Sequence, residues 1–505
     1  MISTTKLCEA IGIPYTGHDK GLTDISCDSR KINDGSVFFD VVGNASNVES
    51  ALSQGAALAI TSLDLETIPP TLKNHIIAVP ESMNVRLLFA KACKFLYPTQ
   101  PCYLTAITGT NGKTSTVDFL RQLWQSVGYS AASMGTLGLK GAENLNISLV
   151  PGLNTQDALT FAKALQTLKQ NNFDHVTFEA SSHGLDQYRT DSADIHYAGF
   201  TNLTQDHLDY HGTMEEYFQA KARLFLDILP KQGAACINVM DPYGMRLIEL
   251  CQKRGLHTIT YGVTKPEESK PSLSFPPDIS AQIQSLSGQG IVLNLQVFDT
   301  KIENLMIPVV GIFQVENMLC ALGLALATTP FDVMDFEKGL SSFKAPGGRM
   351  DHVGSISDAD IYVDYAHTPD ALERALKSLR LHTQHKLYVV FGCGGDRDKG
   401  KRPIMGKIAV ENADVVIVTD DNPRTEDSAS IRKSVLEGAL GALEIPDREE
   451  AIANAIAKLE AGDILLIAGK GHEQGQIIGD TVLPFCDKKI AEKYLQRNLP
   501  KAHSK

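Results

Sequence analysis

Tyr103–Gly128, YLTAITGTNGKTSTVDFLRQLWQSVG, is the stretch on which the reading of the fold turns. A short apolar run (Leu104, Ala106, Ile107) predicts a buried strand, and it stops at Thr108-Gly109-Thr110-Asn111-Gly112-Lys113-Thr114. Val117, Leu120, Trp124 and Val127 then recur at helical spacing, with Gly128 where a C-terminal cap is expected. Strand, glycine loop, Lys-Thr and helix together make a phosphate cradle. Backbone N–H groups can approach a polyphosphate, the helix N-terminus adds partial positive charge, Lys113 can reach the terminal phosphates, and the Thr114 hydroxyl can hold Mg2+. Ile107 stands where the commoner pattern has its first glycine, so this is the shorter Thr-Gly-Thr-Asn-Gly-Lys-Thr form. An ATP site is expected.

Working outward, 505 residues suggest about three domains at roughly 100–200 residues each. The net charge of −12 argues against a surface that coats nucleic acid, which needs clustered Lys and Arg. Nine scattered cysteines without a CxxC pair suit a reducing compartment and no disulfide framework or zinc knuckle. The opening MISTTKLCEAIG lacks a signal-peptide core, and no apolar run approaches roughly 18 residues. A cytoplasmic protein without a membrane span is expected.

Residues 1–99 read as a small α/β unit, with strands at Ser36–Val42 and Ala56–Thr61 and polar loops at Asp28-Ser29-Arg30 and Gly43–Ser46. Such loops can hold a ligand or simply be solvated. Tyr97–Pro101 is a stiff junction. In the second unit, 100–340, His175–Glu179 reads as a strand ending in a carboxylate, where a Mg2+ ligand would sit. A further strand, Ala198–Asn202, precedes a helix opened by a Thr213/Glu216 capping box. Met214, Phe218, Lys221 and Phe225 share its inner face, so Lys221 either snorkels out or serves chemistry. Lys265–Pro277 reads as a surface loop, Ile279–Val297 as a hairpin turning at Ser287–Gly290, and Gln314–Ala327 as a helix carrying Asn317.

The third unit, 341–505, follows the Ala345–Arg349 junction and alternates strands with helices, which suggests a parallel sheet. Thr368-Pro369 opens one helix as N-cap and first residue. Strands at Lys386–Phe391, Val415–Thr419 and Ile464–Ile467 each deliver a polar loop: Gly392–Lys399, Asp420–Arg424 and Gly469–Glu473. Ligands bind on that edge of open α/β sheets.

The stretches ITGTNGKTST, FEASSHGLDQYR, FTNLTQDHLDYHGTMEEYFQAKARLF, VDYAHTPDAL, FGCGGDRDKGKRP, DDNPRTED and AGKGHEQ, with DSR and VVGN near the start, resemble the Mur ligases across all three units. These are ATP-dependent amino-acid-adding enzymes of peptidoglycan precursor synthesis, and the resemblance is greatest to the MurE type, which adds the third residue. It implies an N-terminal UDP-binding domain, a central P-loop ATPase-like domain with a mostly parallel sheet, and a C-terminal Rossmann-like domain that brings the amino acid. By position in the motifs, Cys27, Ser29, Asn44, Ala45 and Ser46 would contact the uridine diphosphate. Asn154, Thr155, Gln156, Ser181, Gln187 and Arg189 would hold the sugar–peptide part. Gly109, Thr110, Asn111, Gly112, Lys113, Thr114 and Ser115 would bind ATP phosphates, with Asn317, Arg349 and Asp364 positioning the nucleotide. Thr114, Glu179 and His207 resemble the Mg2+ ligands, and Lys221 matches the lysine that the family carries as a carbamate. The chain departs from the family at Asn47-Val48 and Gln156.

Asp421-Asn422-Pro423-Arg424 resembles the motif of members that add meso-diaminopimelate. That substrate differs from lysine by a second carboxylate, which a guanidinium pairs in bidentate fashion. Arg397, Gly469 and Glu473 would complete the pocket. The implied reaction activates the D-glutamate γ-carboxylate of UDP-N-acetylmuramoyl-L-alanyl-D-glutamate as an acyl phosphate, which the amine then attacks. Lys113, Lys221, Glu179 and His207 would carry the chemistry, with ATP and Mg2+ as cofactors and a monomer as the expected state. His183 and His211 are open to structural or catalytic roles. The rival readings are an L-lysine-adding ligase, a relative such as folylpolyglutamate synthase, and a non-catalytic nucleotide-gated binder.

Overall fold

The computed structural model describes residues 2–150, 153–264, 276–287 and 290–498. Most of the expected 265–277 loop and the centre of the expected 287–290 turn lie outside them.

Three sheets organise the chain. The first is four-stranded and parallel, in the order Ile25–Ser26, Val37–Phe39, Leu58–Thr61, Ile76–Ala78. Its strands are shorter than the apolar runs that predicted them, because polar loops begin as soon as the side chains leave the core. Phe39, Ile60, Leu88 and Phe89 pack one face.

The second sheet has ten strands. Seven run parallel, with Tyr103–Thr108 flanked by Tyr197–Phe200 on one side and His175–Glu179 on the other. Gly138–Lys140 closes one edge and Gly290–Val297 with Thr300–Ile307 the other, all antiparallel. The continuous apolar runs of the central strands suit burial on both faces. Helix Lys113–Ser126 lies against helix Ile312–Thr328 on one face, and Trp124 Nε1 donates to Thr328 Oγ1 at 2.8 Å. Gly128 takes a positive φ just past the first helix, as a terminating glycine should.

The third sheet has six strands, ordered Asp351–Ile356, Ala359–Asp364, Ile464–Ala468, Leu387–Phe391, Val415–Val418, Leu443–Glu444. Only the first pair is antiparallel. Thr368 caps the helix Pro369–Arg380 as expected, its hydroxyl accepting from Ala371 N. The strand ends carrying Gly392, Asp420 and Gly469 therefore share one edge. Among the described residues no helix is long and apolar enough to cross a membrane.

Candidate active site

A cleft of about 630 Å³ opens between the C-terminal strand ends of the second sheet and the start of the third. Its floor is the loop 109–114. Gly109 and Gly112 hold φ of +148° and +88° there. A Cβ on Gly112 would lie 2.2 Å from Asn317 Oδ1, and one on Gly109 would lie 1.9 Å from Thr201 Oγ1, so only glycine fits at either position. The loop is braced from outside. Asn202 Oδ1 accepts from Asn111 N (3.0 Å), and Thr201 Oγ1 donates to Asn111 O (2.6 Å). Lys113 Nζ folds back to donate to Gly109 O (2.9 Å) and Thr110 O (2.8 Å), and burial lowers its proton affinity.

Glu179 ends its strand as a buried carboxylate. It accepts from Thr114 Oγ1 (3.0 Å), Thr136 N (2.8 Å) and Thr136 Oγ1 (3.0 Å). A Cβ on Gly135 would fall 2.3 Å from Glu179 Oε1, so that glycine makes the room. Arg349 Nη2 donates to Thr114 Oγ1 (3.3 Å), and its guanidinium lies over the Tyr365 ring at 4.6 Å. Asp364 holds the turn below, accepting from Met350 N (2.7 Å) and Ala366 N (2.8 Å), and burial raises its proton affinity. His207 sits on the opposite wall in a left-handed backbone, 3.5 Å from Asp206 Oδ2, with its imidazole biased toward neutral by burial.

Lys221 lies beneath the loop instead of lining the cleft. Its side chain is buried, Nζ donates to Gly109 O at 2.8 Å, and the Tyr217 ring is 4.6 Å away. Burial first, and Lys113 second, push its proton affinity far down. The helix Met214–Arg223 that carries it begins with the expected capping box and passes into a π-turn, Leu224–Ile228, directly after it.

The site residues predicted from sequence fall into three places. Thr110–Ser115, Glu179, His207, Asn317, Arg349, Asp364, Asn154, Thr155, Ser181, Arg189 and Glu473 line the one cleft. Gln187 is adjacent, its Oε1 accepting from Arg189. Gln156 is turned away, its amide bonded to Val150 N, Val150 O and Leu153 O. Cys27, Ser29 and Asn44–Ser46 lie on loops of the first sheet. There Asn44 caps the helix Ala45–Ser53, and buried Asp40 gathers Gly43 N and Asn44 N. Burial lifts the Cys27 thiol to about 11, with Asp157 and Asp28 adding to it. Arg397, Asp421–Arg424 and Gly469 occupy the loop cluster of the third sheet. Arg424 has φ of +52°, and its Nη1 donates to Gly395 O at 2.7 Å, while exposed Arg397 donates to Asp396 O. Glu473 belongs to both places, since it lines the cleft and accepts from Asn422 Nδ2 at 2.8 Å.

Sequence reasoning missed Thr136, which supplies two bonds to Glu179. It also missed Asp370, which accepts from Asn111 Nδ2 (3.0 Å) and Thr204 Oγ1 (3.4 Å) across the cleft. Asp370 stood inside a quoted motif, but Thr136 had no local signal.

The arrangement suits a polyphosphate with a hard cation. Among the described residues Arg349 Nε is buried without a hydrogen-bond partner, and Arg349 lines the cleft, where an oxygen anion would satisfy such a donor. Among the described residues no three His, Cys, Asp or Glu side chains are grouped to hold a metal. The donors at hand are a hydroxyl, a carboxylate and an imidazole, to be completed by phosphate oxygens or a modified lysine.

Residues 107–325 match the Mur ligase middle domain, and residues 348–471 match the Mur ligase glutamate ligase domain. A relative from Zymomonas mobilis named UDP-N-acetylmuramoyl-L-alanyl-D-glutamate--2,6-diaminopimelate ligase is 44% identical over 96% of this chain and 97% of its own. One of the same name from Rickettsia montanensis is 41% identical over 93% and 95%. A solved structure under that name superposes with a TM-score of 0.69 at 33% identity, covering 97% and 98%. Folylpolyglutamate synthase from Mycobacterium tuberculosis shares the fold, with a TM-score of 0.61 at 18% identity over 76% and 92%.

Proposed function

The chain belongs to the Mur ligase family, and from that premise we propose that it joins meso-2,6-diaminopimelate to the D-glutamate γ-carboxylate of UDP-N-acetylmuramoyl-L-alanyl-D-glutamate at the expense of ATP. The observation that carries this reading is near full-length identity of 40% and more to ligases of that name. The same identity favours it over folylpolyglutamate synthase, which shares the fold at 18% identity, and the presence of Lys113, Glu179, His207 and Lys221 argues against a non-catalytic binder. It works in peptidoglycan precursor synthesis, in the cytoplasm and as a monomer, with divisions at 1–99, 100–340 and 341–505; the four-, ten- and six-stranded sheets, one within each division, support them.

ATP, when bound, supplies the phosphoryl group that turns the γ-carboxylate into an acyl phosphate, and Mg2+ supplies positive charge against the transferring oxygens. Gly109–Ser115 would hold the phosphates, Asn317, Arg349 and Asp364 the rest of the nucleotide, and Thr114, Glu179, His207 and a carbamate on Lys221 the metal. Lys113 is spent on its own loop carbonyls, so an incoming phosphate exchanges with two neutral acceptors, a small reorganisation that favours the charged transition state. Glu179 keeps Thr114 and Thr136 oriented. Asn154, Thr155, Ser181 and Arg189 orient the dipeptide end, while Arg424 pairs the distal carboxylate of the amino acid and Glu473 its ammonium. Closure of the third unit over the second keeps water from the acyl phosphate.

The test is phosphate release from the whole chain with ATP, the UDP-dipeptide and each of a panel of amino acids. Release that needs the dipeptide and meso-diaminopimelate together is expected. Equal turnover of L-lysine, or release without the dipeptide, would overturn the reading.

A further inference from the structure

Lys470 follows the buried strand Ile464–Ala468, and its side chain is 0% exposed. An ammonium withdrawn from water must place its N–H donors on acceptors to recover the hydration it gives up. Lys470 Nζ donates to Asn422 Oδ1 at 2.8 Å and to Glu473 Oε2 at 2.9 Å. Asn422 Nδ2 donates to that same Glu473 oxygen at 2.8 Å, and Ile477 N donates to Asn422 Oδ1 at 3.0 Å.

Two consequences follow from donor and acceptor counting. Asn422 Oδ1 faces an ammonium and a backbone N–H, so turning the amide over would set its NH2 against two donors; its orientation is fixed by its neighbours. Glu473 is gripped through Oε2 alone. Among the described residues Oε1 accepts no hydrogen bond, while Glu473 lines the cleft.

We propose that Lys470 is a positioning residue for the incoming amino acid: it locks the Asn422 amide and anchors Glu473 by one oxygen, so that the other is presented to the substrate ammonium. This rests on the reading that Asn422 and Glu473 bind that amino acid. A neutral side chain at 470 frees the amide to turn and leaves Glu473 without a compensating charge, so the loss falls on amino-acid binding and spares the nucleotide and dipeptide sites.

The experiment measures steady-state phosphate release by full-length wild type, K470M, K470Q, E473Q and K470M/E473Q, varying each of the three substrates separately. In K470M the KM for diaminopimelate rises at least 30-fold, and those for ATP and the UDP-dipeptide stay within twofold of wild type. The double variant's KM stays within threefold of the worse single, because both substitutions break one unit. An unchanged KM for diaminopimelate, an equal rise for all three substrates, or effects that multiply would overturn the proposal. If K470M shows no cooperative melt, K470Q carries the same readout, because it too leaves Glu473 without the ammonium that anchors Oε2; absence of an amino-acid-specific KM rise there overturns the proposal equally. A wild type that prefers another amino acid removes the functional reading alone, and the same variants assayed with that amino acid still decide Lys470.

Discussion

Lys221 shows how burial can prepare a side chain for modification. Its amine is far from water, sits near Lys113 and touches one carbonyl and one aromatic ring, so burial first and Lys113 second push it toward the neutral form. A neutral amine adds CO2, releasing a proton and creating a carbamate. Lys221→Ala should lose activity by about 10²–10³-fold, the scale of one preorganised charge, and short carboxylic acids should restore part of it; no rescue at any concentration would count against the carbamate. Arg424 poses the complementary question of selectivity. Its Nη1 is held by Gly395 O, which fixes the plane of the guanidinium. Arg424→Ala should cut kcat/KM for diaminopimelate by about 100-fold or more and leave that for L-lysine unchanged, because only the doubly acidic substrate has a second, distal carboxylate to pair. A competition assay with both amino acids reads this directly.

Two elements carry separable consequences. The loop 109–114 depends on glycine, and Gly112→Ala meets both a positive φ and Asn317 Oδ1 at 2.2 Å. About 1–3 kcal/mol of destabilisation is expected from the strained backbone, with ATP binding lost by calorimetry. The helix Met214–Arg223 depends on its capping box, in which Thr213 Oγ1 accepts from Glu216 N and Glu216 Oε2 accepts from Thr213 N. Thr213→Ala should lower stability by about 1 kcal/mol and leave every KM in place, as Thr213 is exposed and lies outside the cleft lining. The contrast between these variants in paired melting and binding measurements separates folding from function.

Across the molecule, buried imidazoles set the acid limit. Buried His175, His211 and His382 and half-buried His183 and His472 have proton affinity lowered chiefly by burial, His472 to about 4. Their folded values lie below the unfolded 6.5, so the unfolded chain binds more protons between the two. Stability is therefore full above about 6.5 and falls as pH drops toward 4. His472→Phe should flatten the melting temperature against pH in that window, and an unchanged slope would refute this. The second and third sheets are joined by Asn111–Asp370, by Gln122 with Lys344, and by His382 Nδ1 with Ser287 O. Small-angle scattering should show further contraction when ATP and the UDP-dipeptide are added together.

The phosphate loop, the Thr213/Glu216 capping box, the inward Lys221 and the three polar loops after parallel strands were all legible in the sequence. Each is a pattern within a few residues, governed by helical or strand periodicity and by what glycine, proline and short polar side chains do to the backbone. The contacts that build the cleft were not. Thr136 meets Glu179 because the strand Ala131–Gly135 lies parallel beside His175–Glu179, and Asp370 meets Asn111 across 259 positions. Gln156 spends its amide on its own loop, and Lys470 reaches back to Asn422. Local periodicity determines what each segment becomes, whereas strand order, register and the packing of one sheet against another decide which distant side chains share a hydrogen bond, and those choices emerge only when the whole core closes.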